Sequence, residues 1–188
     1  SVGLVGRVGS GKSTLAQLVP RMFDVSTGAI LVDGQDTRKL ALRELRRLIG
    51  YVPQEPFLFS TSLKANLALG RESYSAEELA RAVEIAKLAR DVEIFPLGLE
   101  TLVGERGVTL SGGQKQRATL ARALIMDPPV LILDDCLSSV DAQTEAEILH
   151  GLRAILKEKT CLIISHRISA VREADARTDA EQVQRMLD

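Results

Sequence analysis

Gly6-Arg7-Val8-Gly9-Ser10-Gly11-Lys12-Ser13-Thr14 follows the apolar run Val2-Gly3-Leu4-Val5 and opens a helical pattern over residues 12–19. A G-x-x-x-x-G-K-S pattern between a strand and a helix is a phosphate-cradling loop. Its glycines let backbone N–H groups approach phosphate oxygens, Lys12 supplies a cation to them, and Ser13 offers its hydroxyl to a divalent metal. A Gly-rich turn without a ligand is the bland alternative, and the strand and helix on either side argue against it.

Outward from this loop, strand-like apolar runs recur at 29–32, 49–52, 130–133 and 161–164, the last two apolar throughout. Short runs of that kind suit a parallel sheet covered on both faces. Helical patterns lie between them, as at 142–156, where Ile148, Leu149, Leu152, Ile155 and Leu156 share one face. Ser75-Ala76-Glu77-Glu78 has the form of a capping box and predicts a helix to about Arg90. From 55 to 127 the strand signal vanishes, which predicts a helical lobe inserted into an α/β core made of 1–54 and 128–188. Asp127-Pro128-Pro129 then breaks the last helix and returns the chain to the sheet. Val130-Leu131-Ile132-Leu133 ends on Asp134, a strand-end carboxylate that can hold the metal of a phosphate loop through water. Such an Asp can also simply cap a turn.

Bulk properties narrow the partners. With 188 residues the chain can bury roughly 70% of its unfolded surface. A net charge of −1 and 3% aromatic residues give neither a basic phosphate-tracking face nor stacking platforms, so nucleic acid is not an expected partner. The apolar strand-like runs fall far short of the ~20 residues of a membrane span. Cys136 and Cys161 form no paired motif and are expected as thiols. Ser1-Val2-Gly3 is already strand-like, which suggests a piece of something larger.

Leu110-Ser111-Gly112-Gly113-Gln114 leads straight into a second helical pattern over 114–125. Backbone N–H groups without Cβ atoms at a helix N-terminus make a second anion surface. One nucleotide can hardly touch both surfaces of a compact domain. Each surface is therefore expected to complete a site on a partner molecule.

With these three elements, the chain resembles over nearly its whole length the nucleotide-binding domain of ATP-binding cassette (ABC) proteins. The resemblance implies an α/β fold with a P-loop NTPase core, a mostly parallel sheet and an inserted α-helical signature lobe. It implies ATP and Mg²⁺, with Gly6, Arg7, Val8, Gly9, Ser10, Gly11, Lys12, Ser13 and Thr14 on the phosphates and Ser13, Gln54 and Asp134 at the metal. Tyr51-Val52-Pro53-Gln54 looks like the Q-loop, Ser138-Ser139-Val140-Asp141 like the D-loop, and Ile164-Ser165-His166-Arg167 like the switch histidine. Asp135, His166 and Gln54 would then act in catalysis. Ser111, Gly112, Gly113, Gln114 and Asp141 would face the nucleotide of a second nucleotide-binding domain. By themselves, Gln54 reads equally as a loop polar group, His166 as a core histidine, and Asp141 as the N-cap of the following helix. His150, in mid-helix, reads as solvated surface.

Thr101-Leu102-Val103-Gly104-Glu105-Arg106-Gly107 resembles the x-loop of exporters, and Pro56-Phe57-Leu58-Phe59-Ser60 the same class. Glu105, Arg106 and the Gln54 region would grip a transmembrane domain, at the cytoplasmic face of a membrane. Three departures stand out. The family places Glu after the strand-end aspartate; here it is Asp135, whose carboxylate is retracted by roughly 1.5 Å, enough to cost about 10²-fold in rate. This resembles the degenerate half of heterodimeric exporters. The strand bearing an adenine-stacking aromatic would precede Ser1, and beyond His166 the chain is expected to pass directly to a helical tail over 179–187. A non-hydrolytic ATP-binding regulatory subunit and, less favoured, a soluble ABC ATPase remain as alternatives.

Overall fold

The computed structural model describes residues 1–7, 9–104, 108–166, 174 and 176–179, the last four by their backbone. The chain divides into two compact units. The first comprises Ser1–Tyr51, Pro128–Asp135 and Leu156–Asp188; the second comprises Val52–Asp127 and Cys136–Ile155.

The first unit carries β1 (Val2–Val5), α1 (Lys12–Leu18), β2 (Leu31–Val32), β3 (Gln35–Asp36), α2 (Leu42–Arg47), β4 (Ile49–Val52, whose last residue belongs to the second unit), β5 (Val130–Asp134), β6 (Thr160–Ile164) and β7 (Ala176–Asp179). The fold is α/β, as the phosphate loop predicts, with a five-stranded sheet in the order β4-β5-β6-β1-β7. The pairings β5 with β6, β6 with β1 and β1 with β7 are parallel. Register aligns Asp134 with Ile164, and Leu4 with Ile164 from the other side. The carboxyl ends of β1, β5 and β6 therefore share one edge of the sheet, where ligands of open α/β sheets bind. Beneath that edge Leu4, Ile132 and Ile164 of three adjacent strands pack with Ala16, Leu45 and Ile49 into one buried cluster.

Two expectations fail in this unit. The run at 29–32 joins no parallel ladder; β2 and β3 form a two-stranded antiparallel hairpin across Asp33 (φ 49°) and Gly34 (φ 76°). Two consecutive left-handed residues make a type I′ turn, for which Asp-Gly is a strong local signal. Beyond residue 166 the chain does not go straight into a helix: Ala176–Asp179 form a strand, with Asp179 paired to Val5. Ala-Arg-Thr-Asp has little intrinsic strand preference, but pairing fills the open edge of β1 and tertiary context wins. Residues 180–187 of the expected helix lie outside the described residues.

The second unit is helical: α3 (Leu63–Leu67), α4 (Ala76–Ile85), α5 (Ala89–Ile94), α6 (Gly112–Met126) and most of α7 (Ala142–Glu158). Residues 136–155 fall with this unit, Gly151 of α7 lying against Ile85 of α4. The capping box at Ser75 forms in both directions, Glu78 N–H to Ser75 Oγ at 3.1 Å and Ser75 N–H to Glu78 Oε2 at 2.7 Å. The helix it opens stops short of Arg90. Lys87 turns left-handed (φ 53°), its N–H reaches Glu84 O at 3.0 Å, and the Leu88 N–H reaches Val83 O at 2.9 Å. These two bonds are a Schellman termination. Leu88 is fully buried, and its burial offsets the strain of a non-glycine residue in that conformation.

Neither Cys136 nor Cys161 is in a disulfide, and both are buried. No described helix is long and apolar enough to cross a membrane.

Candidate nucleotide site

In the first unit β1 delivers the chain into the phosphate loop at the carboxyl edge of the sheet. Gly9 (φ 83°) and Gly11 (φ 84°) are left-handed, and a Cβ at either would meet no atom within 4 Å. Conformation, not space, requires glycine there. Gly11 caps α1, whose first turn carries no acidic residue, so the N–H groups and dipole of that turn favour an anion. Lys12 is 5% exposed and folds back over the loop, donating to Gly6 O at 2.8 Å, Arg7 O at 2.7 Å and Ser10 Oγ at 3.4 Å. Its ammonium is thus held at the loop, within reach of any phosphate the loop takes up. Val8 lies outside the described residues; Thr14 follows Ser13 on α1.

Asp134 ends β5 with 1% exposure. The Ser13 hydroxyl donates to its Oδ1 at 2.9 Å, and the Tyr51 hydroxyl donates to its Oδ2 at 2.9 Å. Burial, and next the Asp134 carboxylate it faces, push the Tyr51 phenol well above its usual ionisation range, with Gln17 acting weakly in the opposing sense. Ser13 and Asp134 are hard oxygen donors side by side, the donor set that suits Mg²⁺, which takes few protein ligands and completes its shell with phosphate and water. Asp135 follows in a left-handed conformation (φ 44°), its N–H donating to Ile164 O at 2.8 Å. Its Oδ1 accepts from Ser165 Oγ at 3.3 Å. His166 is the next residue and is exposed. The first unit therefore gathers the phosphate loop, Asp134 and Asp135 at the carboxyl ends of β1 and β5, which flank β6.

The second unit holds the other predicted residues. Ser111 and Gly112 are exposed at the start of α6, a helix of 15 residues with no acidic residue in its first turn. Ser111 Oγ accepts the Gln114 N–H at 3.2 Å and Gln114 Oε1 accepts the Ser111 N–H at 2.8 Å, a second complete capping box. Gln114 Nε2 also donates to Asp91 Oδ1 at 2.7 Å, and Arg117 donates to Asp91 Oδ2 at 2.6 Å. The side-chain oxygens of Ser111 and Gln114 are thus committed inside the helix, and the exposed face is glycine backbone. Gly113 is needed for close approach: a Cβ there would sit 2.9 Å from the Ser139 carbonyl oxygen. Asp141 is exposed and caps α7, Thr144 N–H to Asp141 Oδ1 at 2.9 Å; those backbone donors hold its carboxyl below the usual carboxylate range. The N-cap reading of Asp141 is therefore realised. Gln54 is exposed, and its carbonyl oxygen accepts from Gln116 Nε2 at 3.4 Å. Glu105 and Arg106 lie outside the described residues.

Two residues escaped the sequence reading. Tyr51 looks like an ordinary strand aromatic until its hydroxyl is seen on Asp134. Gln116 is 2% exposed and accepts the Ser139 N–H at 2.8 Å while donating to Ser138 Oγ at 3.0 Å. It ties the first turns of α6 to the segment before α7. An amide among the Ala and Leu residues of α6 was the available signal, since a buried amide must spend its donors and acceptor. Gln116→Leu leaves the Ser139 N–H unpaired and is expected to lower stability by about 1–3 kcal/mol, read as a drop in the denaturation midpoint at unchanged m.

A phosphate loop between strand and helix, with a buried strand-end carboxylate on its serine, defines a nucleotide-binding P-loop domain. A family model described as "ABC transporter" matches residues 1–138, and the chain belongs to that family, as its ATP-binding domain. It is 46% identical over 175 residues to "Probable multidrug resistance ABC transporter ATP-binding/permease protein YheI" of Bacillus subtilis, covering 93% of this chain and 30% of that one. It is 44% identical over 176 residues to the "ATP-dependent lipid A-core flippase" of Pectobacterium atrosepticum, again covering 93% and 30%. Among solved structures, "a bacterial Atm1-family ABC exporter with ATP bound" superposes with a TM-score of 0.87 at 38% identity, covering 98% of this chain and 35% of the other. The chain thus spans about a third of the length of these relatives.

Proposed function

We propose that this chain is the ATP-driven motor domain of a membrane ABC exporter, closing head to tail with a second nucleotide-binding domain around ATP and Mg²⁺, and hydrolysing slowly at its own phosphate loop. The observation that carries the reading is the start of α6. There, exposed Ser111 and Gly112 present bare backbone at a helix N-terminus, with no acidic residue in the first turn to occupy it. The phosphate loop already has its own serine, lysine and carboxylate. A second surface of this kind is explained by the nucleotide of another domain.

At its own loop, Lys12 and the N–H groups around Gly9 and Gly11 would hold the phosphates, and Ser13 with Asp134 would hold Mg²⁺. That ion, when bound, would neutralise phosphate charge as it is transferred to water. Asp135 is the carboxylate placed to polarise the attacking water, with His166 and Gln54 as further contacts. Its short side chain is the reason for slow turnover. The same feature supports the second reading, a regulatory subunit that binds ATP without hydrolysing it.

The Bacillus subtilis relative is named for ATP-binding and permease functions together, so the partners proposed here are a second nucleotide-binding domain and a transmembrane domain. The docking surface proposed for the latter, beside Gln54, carries Phe57 and Phe59, 62% and 47% exposed and stacked edge to face with centroids 4.9 Å apart. Two exposed aromatics side by side suit a helix end pressed onto them.

Analytical ultracentrifugation tests the pairing. With ATP, and either alone or mixed with a candidate partner domain, the chain should sediment at twice its mass, reverting when nucleotide is removed. Tight ATP binding by a species that stays monomeric under every combination would refute the head-to-tail scheme.

A further inference from the structure

We infer that Tyr51 is a positioning residue for the metal-holding carboxylate of Asp134, an inference that rests on the reading of Ser13 and Asp134 as the Mg²⁺ ligands. A carboxylate on a short stem turns easily about its last torsion, which has a broad, roughly two-fold profile. What aims it is the pair of hydrogen bonds it accepts. Here each oxygen of Asp134 has a different donor, Ser13 Oγ on Oδ1 and Tyr51 Oη on Oδ2, both at 2.9 Å. At 1% exposure the group depends on these protein donors for its orientation.

The Ser13 contact cannot do this alone. It holds Oδ1 only, and a carboxylate held at one oxygen can still swing the other, whereas the Tyr51 contact lies on the opposite oxygen and closes that freedom. Tyr51 sits on β4, next to β5 in the sheet, so its phenol projects from a rigid element. Phenol, carboxylate and serine thus form a chain from β4 through the end of β5 to the first turn of α1. Groups that orient a metal ligand in this way typically change metal affinity by 10–100-fold when removed.

The test uses the full-length protein, Mn²⁺ as a spectroscopic probe, and a non-hydrolysable ATP analogue. Tyr51→Phe removes one oxygen and keeps the ring, so strand packing is retained. Electron paramagnetic resonance should show the Mn²⁺ dissociation constant of the ternary complex raised about tenfold or more. The analogue's affinity in EDTA should stay at the wild-type value, because the phosphate loop is untouched. An unchanged Mn²⁺ constant would overturn the proposal. So would equal weakening with and without metal, since Tyr51 would then support the fold of the loop rather than the ligand. Asp134→Asn, run in parallel, separates the premise from the inference. If that change also spares Mn²⁺ binding, the metal site itself is misassigned and the role of Tyr51 falls with it.

Discussion

Lengthening Asp135 to Glu is expected to raise ATP turnover by about two orders of magnitude. Asp135 is fixed at two points, its backbone by the N–H on Ile164 O and its carboxylate by the Oδ1 that accepts from Ser165 Oγ. It has no slack with which to advance on a substrate water. One more methylene would move the carboxylate forward by roughly 1.5 Å, and misplacement of that order accounts for about 10²-fold in rate. The gain has a structural counterweight: Asp135 is left-handed (φ 44°), a conformation that Asp tolerates better than Glu, so Asp135→Glu should also lose about 1 kcal/mol of stability. Phosphate release measured beside thermal melting reads both effects. A faster but slightly less stable protein supports a detuned ATPase. Unchanged turnover with the same loss of stability supports the regulatory subunit instead.

The converse change, Gly112→Asp, should abolish turnover of the assembled transporter without unfolding the domain. Gly112 is the first residue of α6 and is exposed. A Cβ there would lie 3.4 Å from Ser139 Cβ, an ordinary contact, whereas at Gly113 it would meet the Ser139 carbonyl at 2.9 Å. An acidic group at a helix N-terminus is favoured by the dipole by about 0.3–1 kcal/mol, so the helix itself is no worse off. A phosphate brought to the same turn meets a like charge worth about 4 kcal/mol at 4 Å in an effective dielectric of 20. Repulsion wins. Turnover of the assembled pair should fall about 10³-fold while the melting temperature holds. Asp135→Asn, acting at this chain's own slow site, should change total turnover little. Equal losses from Gly112→Asp and Asp135→Asn would contradict the proposed division of labour between the two sites.

Much of this molecule was legible from local pattern. The strands at 130–133 and 161–164 declare themselves because a parallel sheet buried on both faces tolerates only apolar residues, and the phosphate loop because its left-handed turns need glycine. Ser75 opens a helix in the structure for the same reason it does so on paper, since a capping box spans only four residues. Where local signals compete, the reading goes astray. Lys87 carries no stop signal, yet burying Leu88 ends α4 there; Ala176–Asp179 look unlike a strand, yet the edge of β1 recruits them.

What the sequence by itself determined is the family, the α/β core and the phosphate-loop pattern, because each is written in periodicity or in a motif a few residues long. Only the tertiary structure decided how those residues are held: Tyr51 to Asp134 across 83 positions, Gln116 to Gln54 across 62, Asp91 to Gln114 across 23. A side-chain hydrogen bond to a group distant in sequence has no periodicity to betray it. It exists because strand order and helix packing bring the partners within 3.5 Å, and the low dielectric of the interior then penalises any arrangement that leaves them apart.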